Sequence, residues 1–265
     1  MDLQLEKKRV ALCGAGGMLG RAIATRLAGE GAQLALLGRN TDTLNRLAES
    51  LPRHDSARSL THHAIGCDLR DPLSTDSAIA EAEGLLGAID VFISAAGAAQ
   101  GGVFWEIDDT AWRENLEVKL FGTIRALRAV APRMIAQRAG RIVLVVGNSA
   151  RQPEPRMLPG AAANAALLAI VRGLAEELGP HGVAINAINP GPVKSPRWNS
   201  LMQAAASRDG ITPDEAERRF LEKTALRRLA TAEEVATHVT FLASSAAAHL
   251  TGTSLTIDGG SSKSP

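Results

Sequence analysis

The chain has 265 residues, of which 45% are hydrophobic, with 29 basic and 28 acidic side chains and a net charge of +1. A chain this long, without a Pro/Gly/Ser-rich linker, predicts one domain over residues 1–265 that buries most of its apolar surface. The balanced charge excludes the electrostatic footprint of a nucleic-acid or anionic-membrane partner; no stretch reads as a bilayer span, and residues 1–9 are too charged for a signal-peptide core.

Residues 10–13 are a short, continuously apolar run, as strands covered on both faces are. The run enters Gly14-Ala15-Gly16-Gly17-Met18-Leu19-Gly20 and then an amphipathic stretch, 19–30, with apolar residues three and four apart. A glycine loop between strand and helix either lets backbone approach a pyrophosphate at the positive helix end or makes an ordinary tight turn. The second strand, 34–37, ends Leu37-Gly38-Arg39-Asn40. A carboxylate there would bond a free ribose 2′-hydroxyl. An arginine without an acid favours a 2′-phosphate, hence NADP over NAD, unless Arg39 is only a solvated helix start.

A helix follows at 41–50. The third strand ends before Asp68 and Leu69, where the carboxylate either accepts a hydrogen bond from an adenine amino group or helps Asp71 cap the helix at 74–86. Cys13 and Cys67 suit reduced, buried, strand-end thiols, which predicts a cytoplasmic location. His54, His62 and His63 fall in a polar connecting segment without metal-ligand spacing, so no metal is expected.

Strands at 89–95, 142–146, 183–188 and 254–257 and helices at 109–137, 161–178 and 231–244 continue a β-α-β-α alternation. Units of this length force right-handed crossovers. The fold is therefore predicted as α/β: a Rossmann-type doubly wound parallel sheet of about seven strands with helices on both faces. Such a sheet binds its ligand beyond the carboxyl ends of the strands, where strand order reverses. Residues 196–228 read as a flexible segment long enough to be a substrate lid. Its Trp198, Leu201, Met202 and Phe220, with Phe104, Trp105, Met157 and Leu158, either form an apolar pocket or pack ordinary helices.

Over about residues 8–260 these marks resemble the short-chain dehydrogenase/reductase family. The resemblance is carried by Gly14, Gly20, Asp68, Ala96-Gly97, Pro190-Gly191-Pro192-Val193-Lys194-Ser195, the 230–236 stretch, and Thr251-Gly252-Thr253-Ser254 leading to Asp258-Gly259-Gly260. It implies a nicotinamide coenzyme, hydride transfer to a carbonyl or from an alcohol, and a homodimer or homotetramer. It also implies coenzyme contacts at Gly14, Gly16, Gly17, Leu19, Gly20, Ala96, Gly97, Pro190 and Gly191. Ser195 and the Val193 N–H would meet the nicotinamide carboxamide.

The family uses Asn, Ser and Tyr-x-x-x-Lys as catalytic groups, in which an ammonium pulls a phenol pKa of roughly 10 toward neutrality. The register set by Trp112, Gly122, Pro132, Met134 and Gly140 places Lys119, Gly147, Gly160 and Asn164 at those four positions, and the chain contains no tyrosine. The coenzyme loops depart as well, at Cys13, Met18 and Ser94-Ala95. The amine and the amide have exchanged places. Lys119 is read either as a proton donor or water-positioning group, its pKa lowered by burial and a nearby nicotinamide cation, or as a side chain paired with Glu114 or Glu117. Asn164 would bond a ribose hydroxyl. Ser149 and Asn148 either meet a substrate oxygen or close a turn. Two functions follow: an NADP(H)-dependent oxidoreductase acting on a small, mostly apolar carbonyl or alcohol through a non-standard site, or a catalytically silent relative serving as coenzyme sensor or assembly partner.

Overall fold

The computed structural model describes residues 3–52, 60–97 and 101–263. Its strands are β1 (Arg9–Cys13), β2 (Gln33–Gly38), β3 (His63–Gly66), β4 (Val91–Ser94), β5 (Gly140–Val145), β6 (Val183–Pro190) and β7 (Ser254–Ile257). They form one parallel sheet in the order β3-β2-β1-β4-β5-β6-β7. The helices are α1 (Met18–Gly29), α2 (Thr41–Ser50), α3 (Pro72–Leu86), α4 (Asp109–Leu116), α5 (Gly122–Gln137), α6 (Leu158–Leu178), α7 (Pro196–Asp209), α8 (Pro213–Leu221) and α9 (Ala232–Ala243).

Strand side chains alternate between two cores. Val10, Leu12, Leu34, Leu36, Val91 and Ile93 meet Ile23 and Leu27 of α1 and Val235 and Val239 of α9. Ala11, Cys13, Leu37, Phe92, Ile142 and Leu144 face the other way, toward Ile79 of α3, Val130 of α5 and Leu167 and Val171 of α6. Period-2 alternation with apolar residues on both sides is why the strands read as continuous hydrophobic runs.

At the amino ends of the central strands, Asp90 binds Arg9 three times. Oδ2 accepts from the Arg9 backbone N at 2.9 Å and from Nε at 2.8 Å, while Oδ1 accepts from a terminal guanidinium nitrogen at 2.6 Å. The Asp90 backbone also donates to Arg9 and accepts from Arg141, so one residue ties β1, β4 and β5.

Several details depart from the sequence reading. Residues 196–228, read as a flexible segment, hold the helices α7 and α8. Ser195 and Thr212 cap these helices, Pro196 and Pro213 open them, and Gly210 ends α7 in a left-handed conformation. The two helices share a small core of Trp198, Met202, Ala206 and Ala216, in which Trp198 meets Phe220 edge-on at 4.8 Å and donates from Nε1 to Glu217 at 2.6 Å. The helix expected over 109–137 is broken by a π-helical turn at Glu117–Phe121. His63 opens β3 instead of lying in a connection; His54 lies outside the described residues. Cys13 and Cys67 are both buried and unbridged.

One run is more apolar than expected. Leu158–His181 has a mean hydropathy of 1.5 over an 18-residue window, long and apolar enough by composition to cross a membrane, because its alanines and leucines are interrupted by few charges. It contains α6, whose buried residues, including Leu167 and Val171, join the core beneath the sheet.

Asp90→Ala should cost about 2 kcal/mol, because it strands a half-buried guanidinium and a backbone N–H without their acceptor. Urea unfolding checks this, and an unmoved midpoint would show that the clamp adds nothing.

Candidate active site

Strand order reverses between β1 and β4, and the carboxyl ends of these strands diverge there into a cleft of about 1260 Å³. Gly14, Gly16, Gly17, Arg39, Asp68 and Leu69 line it. At Ala95, Ala96 and Gly97 the cleft adjoins a second cavity of about 320 Å³, lined by Leu19, Lys119, Ser149, Asn164, Pro190, Gly191, Val193 and Ser195. Gly20 lines neither. It lies beneath the loop, where a Cβ would collide with the Gly14 carbonyl. Gly14 has φ 77°, and a Cβ on it would stand 2.6 Å from Ala96 N, so backbone there touches backbone.

These features fit a dinucleotide. Helix α1 starts at the cleft with no side-chain cap and no acid in its first turn, whereas α2, α3, α4, α7, α8 and α9 are all side-chain capped. Its first N–H groups and its positive end are left for an anion. Arg39 lines the far end of the cleft and makes no ion pair among the described residues. Deeper in, the Oδ1 of Asn164 is buried without a partner, while its Nδ2 donates to Ser149 at 2.9 Å. A hydroxyl of a bound ribose would satisfy that oxygen, whose isolation costs about 1–3 kcal/mol.

Asp68 is more engaged than an adenine ligand should be. Arg70 donates to it from Nε at 2.9 and 3.1 Å, and this pairing holds its carboxyl down at about 2. Asp71, not Asp68, caps α3 by accepting from Leu73 N. Ser195 caps α7, its hydroxyl oxygen accepting from Trp198 N at 3.0 Å. Backbone bonds from Lys194 to Ala230 and from Ala230 to Pro192 leave the Val193 N–H without a protein acceptor among the described residues.

Lys119 sits in the π-helical turn between α4 and α5, a local winding that occurs often at functional sites. Its Nζ donates to the Val146 carbonyl at 2.7 Å and would lie 3.3 Å from a Cβ on Gly97. No carboxylate among the described residues lies within ion-pair distance of it, and Glu117 instead pairs with Arg125 at 2.6 Å. Burial therefore pushes the ammonium down to about 8, helped by the positive charge of Arg197. Gly147 and Gly160 also line this cavity. Ser149 belongs to a single 3-10 turn, Asn148–Ala150, so these residues do close a turn while Ser149 also reaches Asn164.

Residues 14–262 match the family model described as Enoyl-(Acyl carrier protein) reductase. The chain belongs to the short-chain dehydrogenase/reductase family. It is 33% identical over 266 residues to the uncharacterized oxidoreductase YvrD of Bacillus subtilis, covering 98% of both chains. It is also 33% identical to the short-chain reductase protein NovJ of Streptomyces niveus, over 98% of this chain and 96% of that one. L-sorbose reductase from Gluconobacter frateurii, solved with NADPH and L-sorbose, superposes with a TM-score of 0.89 at 26% identity, covering all of both chains.

Two site components of this family member escaped the sequence reading. The Val146 carbonyl carries no sequence signal, being backbone. Arg197 did have one: Ser195-Pro196 is a cap followed by a first-turn proline, which places residue 197 at the start of a helix, and in the structure that helix start lines the second cavity.

Because its pKa in the folded state lies below 10.5, Lys119 binds its proton more weakly folded than unfolded. Stability from this group should therefore rise between pH 8 and 10.5, by up to about 3 kcal/mol at about 1.4 kcal/mol per pH unit. Urea unfolding of the wild type and Lys119→Met across this range should diverge accordingly, and parallel curves would remove the desolvated charge.

Proposed function

We propose that the protein is an NADP(H)-dependent oxidoreductase that interconverts a small carbonyl and alcohol at a site without the family's usual Asn, Ser, Tyr and Lys. The observation that carries this reading is Lys119, an amine brought to about 8 in the cavity that adjoins the dinucleotide cleft. A relative of 27% identity from Bacillus subtilis is named NADPH-dependent reductase BacG, and the L-sorbose reductase was solved with NADPH. Arg39, standing where an NAD enzyme places a carboxylate, supports a 2′-phosphate on the coenzyme.

When bound, the coenzyme supplies the hydride. Gly14, Gly16 and Gly17 let backbone approach its pyrophosphate, and the open start of α1 neutralises part of that charge. Asn164 Oδ1 would accept from the nicotinamide ribose, while the Val193 N–H and Ser195 would hold the carboxamide. Hydride addition leaves an alkoxide. Lys119 delivers the proton from Nζ, either directly or through one water, and at about 8 it is a stronger acid than a free lysine. Helices α7 and α8 serve as the lid that excludes water from the reaction. The working protein is cytoplasmic and a homodimer or homotetramer.

A second reading, a coenzyme sensor or assembly partner, is favoured by Gly147 and Gly160, which bring no side-chain donor into the second cavity.

Calorimetric titration should find NADPH bound more tightly than NADH. Arg39→Ala should weaken NADPH about tenfold to a hundredfold and leave NADH nearly unchanged, as loss of one charge-assisted contact does. A carbonyl panel should then find a reducible substrate, with kcat falling about 10²–10⁴-fold in Lys119→Met. Unchanged turnover in that variant removes Lys119 from the chemistry. NADPH binding with no turnover across the panel selects the silent reading.

A further inference from the structure

The second cavity contains two cations and too little negative charge to offset them. Lys119 and Arg197 both line it, and Glu154 is the only acidic residue among those lining it. Among the described residues Glu154 pairs with neither cation, Lys119 bonds only the Val146 carbonyl, and Arg197 has no hydrogen-bond or ion-pair partner. The two positive charges are close enough to repel. Arg197 helps lower the Lys119 pKa, and although the Arg197 side chain is exposed overall, partial desolvation lowers its own pKa as well.

Arg197 occupies the first turn of α7, a helix with no acid in that turn, so the positive helix end adds to the same field. Its guanidinium offers a planar fork that matches a carboxylate in a bidentate pair. The rest of the wall is mostly apolar on this side, with Met157, Trp198 and Leu201. Like charges lining one cavity repel, and a ligand that brings a counterion relieves that repulsion. With Glu154 counted, the excess is one positive charge, which matches a monoanion.

We infer that Arg197, backed by the charge of Lys119, holds a carboxylate of the substrate, so that the protein acts on an acidic carbonyl or hydroxy compound with an apolar body. The inference rests on reading this cavity as the substrate site. Arg197 is thus a specificity-determining residue. A carboxylate placed there also relieves the repulsion and keeps the proton on Lys119 until it is needed.

Calorimetry of the full chain, with and without NADPH, should compare 2-oxo-4-phenylbutanoate with its ethyl ester, which differs by one charge. The acid should bind at least tenfold more tightly. Arg197→Gln should erase that preference, and Arg197→Lys should keep part of it, while NADPH affinity moves less than twofold in either variant. Unchanged thermal unfolding would show that the variants remain folded. Equal binding of acid and ester, no heat with either, or a preference that survives Arg197→Gln overturns the inference. A loss of NADPH affinity as large as the loss for the acid assigns the arginine to coenzyme phosphate and overturns it too. A protein that prefers the acid but never binds NADPH refutes the oxidoreductase reading and leaves this one standing. One that reduces ester and acid equally well refutes this one alone.

Discussion

The site depends on one contact, in which the backbone after β1 lies directly on the backbone after β4. Gly14 meets the Ala95–Ala96 peptide so closely that a single added carbon would sit 2.6 Å from a nitrogen. That closeness keeps the two strand ends together, and since the next strands leave on opposite sides, the space beyond them cannot be filled by the sheet itself. Gly20 underpins the loop by leaving room for the Gly14 carbonyl. The crevice is therefore a product of chain path, maintained by glycines and by the clamp of Asp90 and Arg9 at the opposite ends of the same strands.

Much of this was legible in the sequence because buried parallel strands and amphipathic helices have distinct periods. The alternation of the two, and the loop from Gly14 to Gly20, located the crevice before any coordinates. The third strand was harder to bound: His63 to Gly66 is four residues, begins with a histidine and is only partly buried. The π-helical turn at Glu117–Phe121 was invisible, since one extra residue per turn changes hydrogen bonding without changing the local apolar pattern. The helices α7 and α8 carry start signals in Ser195-Pro196 and Thr212-Pro213, although the length of the segment alone reads as a lid. At Asp68 the sequence named the right place but not the partner, because its pairing with Arg70 depends on rotamers and not on spacing.

The second cavity was the least legible, and electrostatics explains why. A lysine in the list of residues carries no sign of its neighbours. Only in three dimensions does Lys119 lack a carboxylate among the described residues, gain the Val146 carbonyl and feel a second cation. The same geometry joins the two cavities: Ala96 and Gly97 border both, so the nitrogen lying 3.3 Å from a Cβ on Gly97 stands at the junction. A group there feels any charge placed in either cavity, which would couple the occupants of the two.

Gly147 adds a constraint on substitution. Its φ of 134° and ψ of 146° belong to a region that only glycine occupies cheaply, and a Cβ would approach Asn164 Nδ2 to 3.0 Å. A side chain cannot simply be introduced there. The peptide would first have to turn over, and position 164 would have to yield. A side chain at 147 and the present asparagine at 164 therefore exclude each other, so the two positions can change only as a pair.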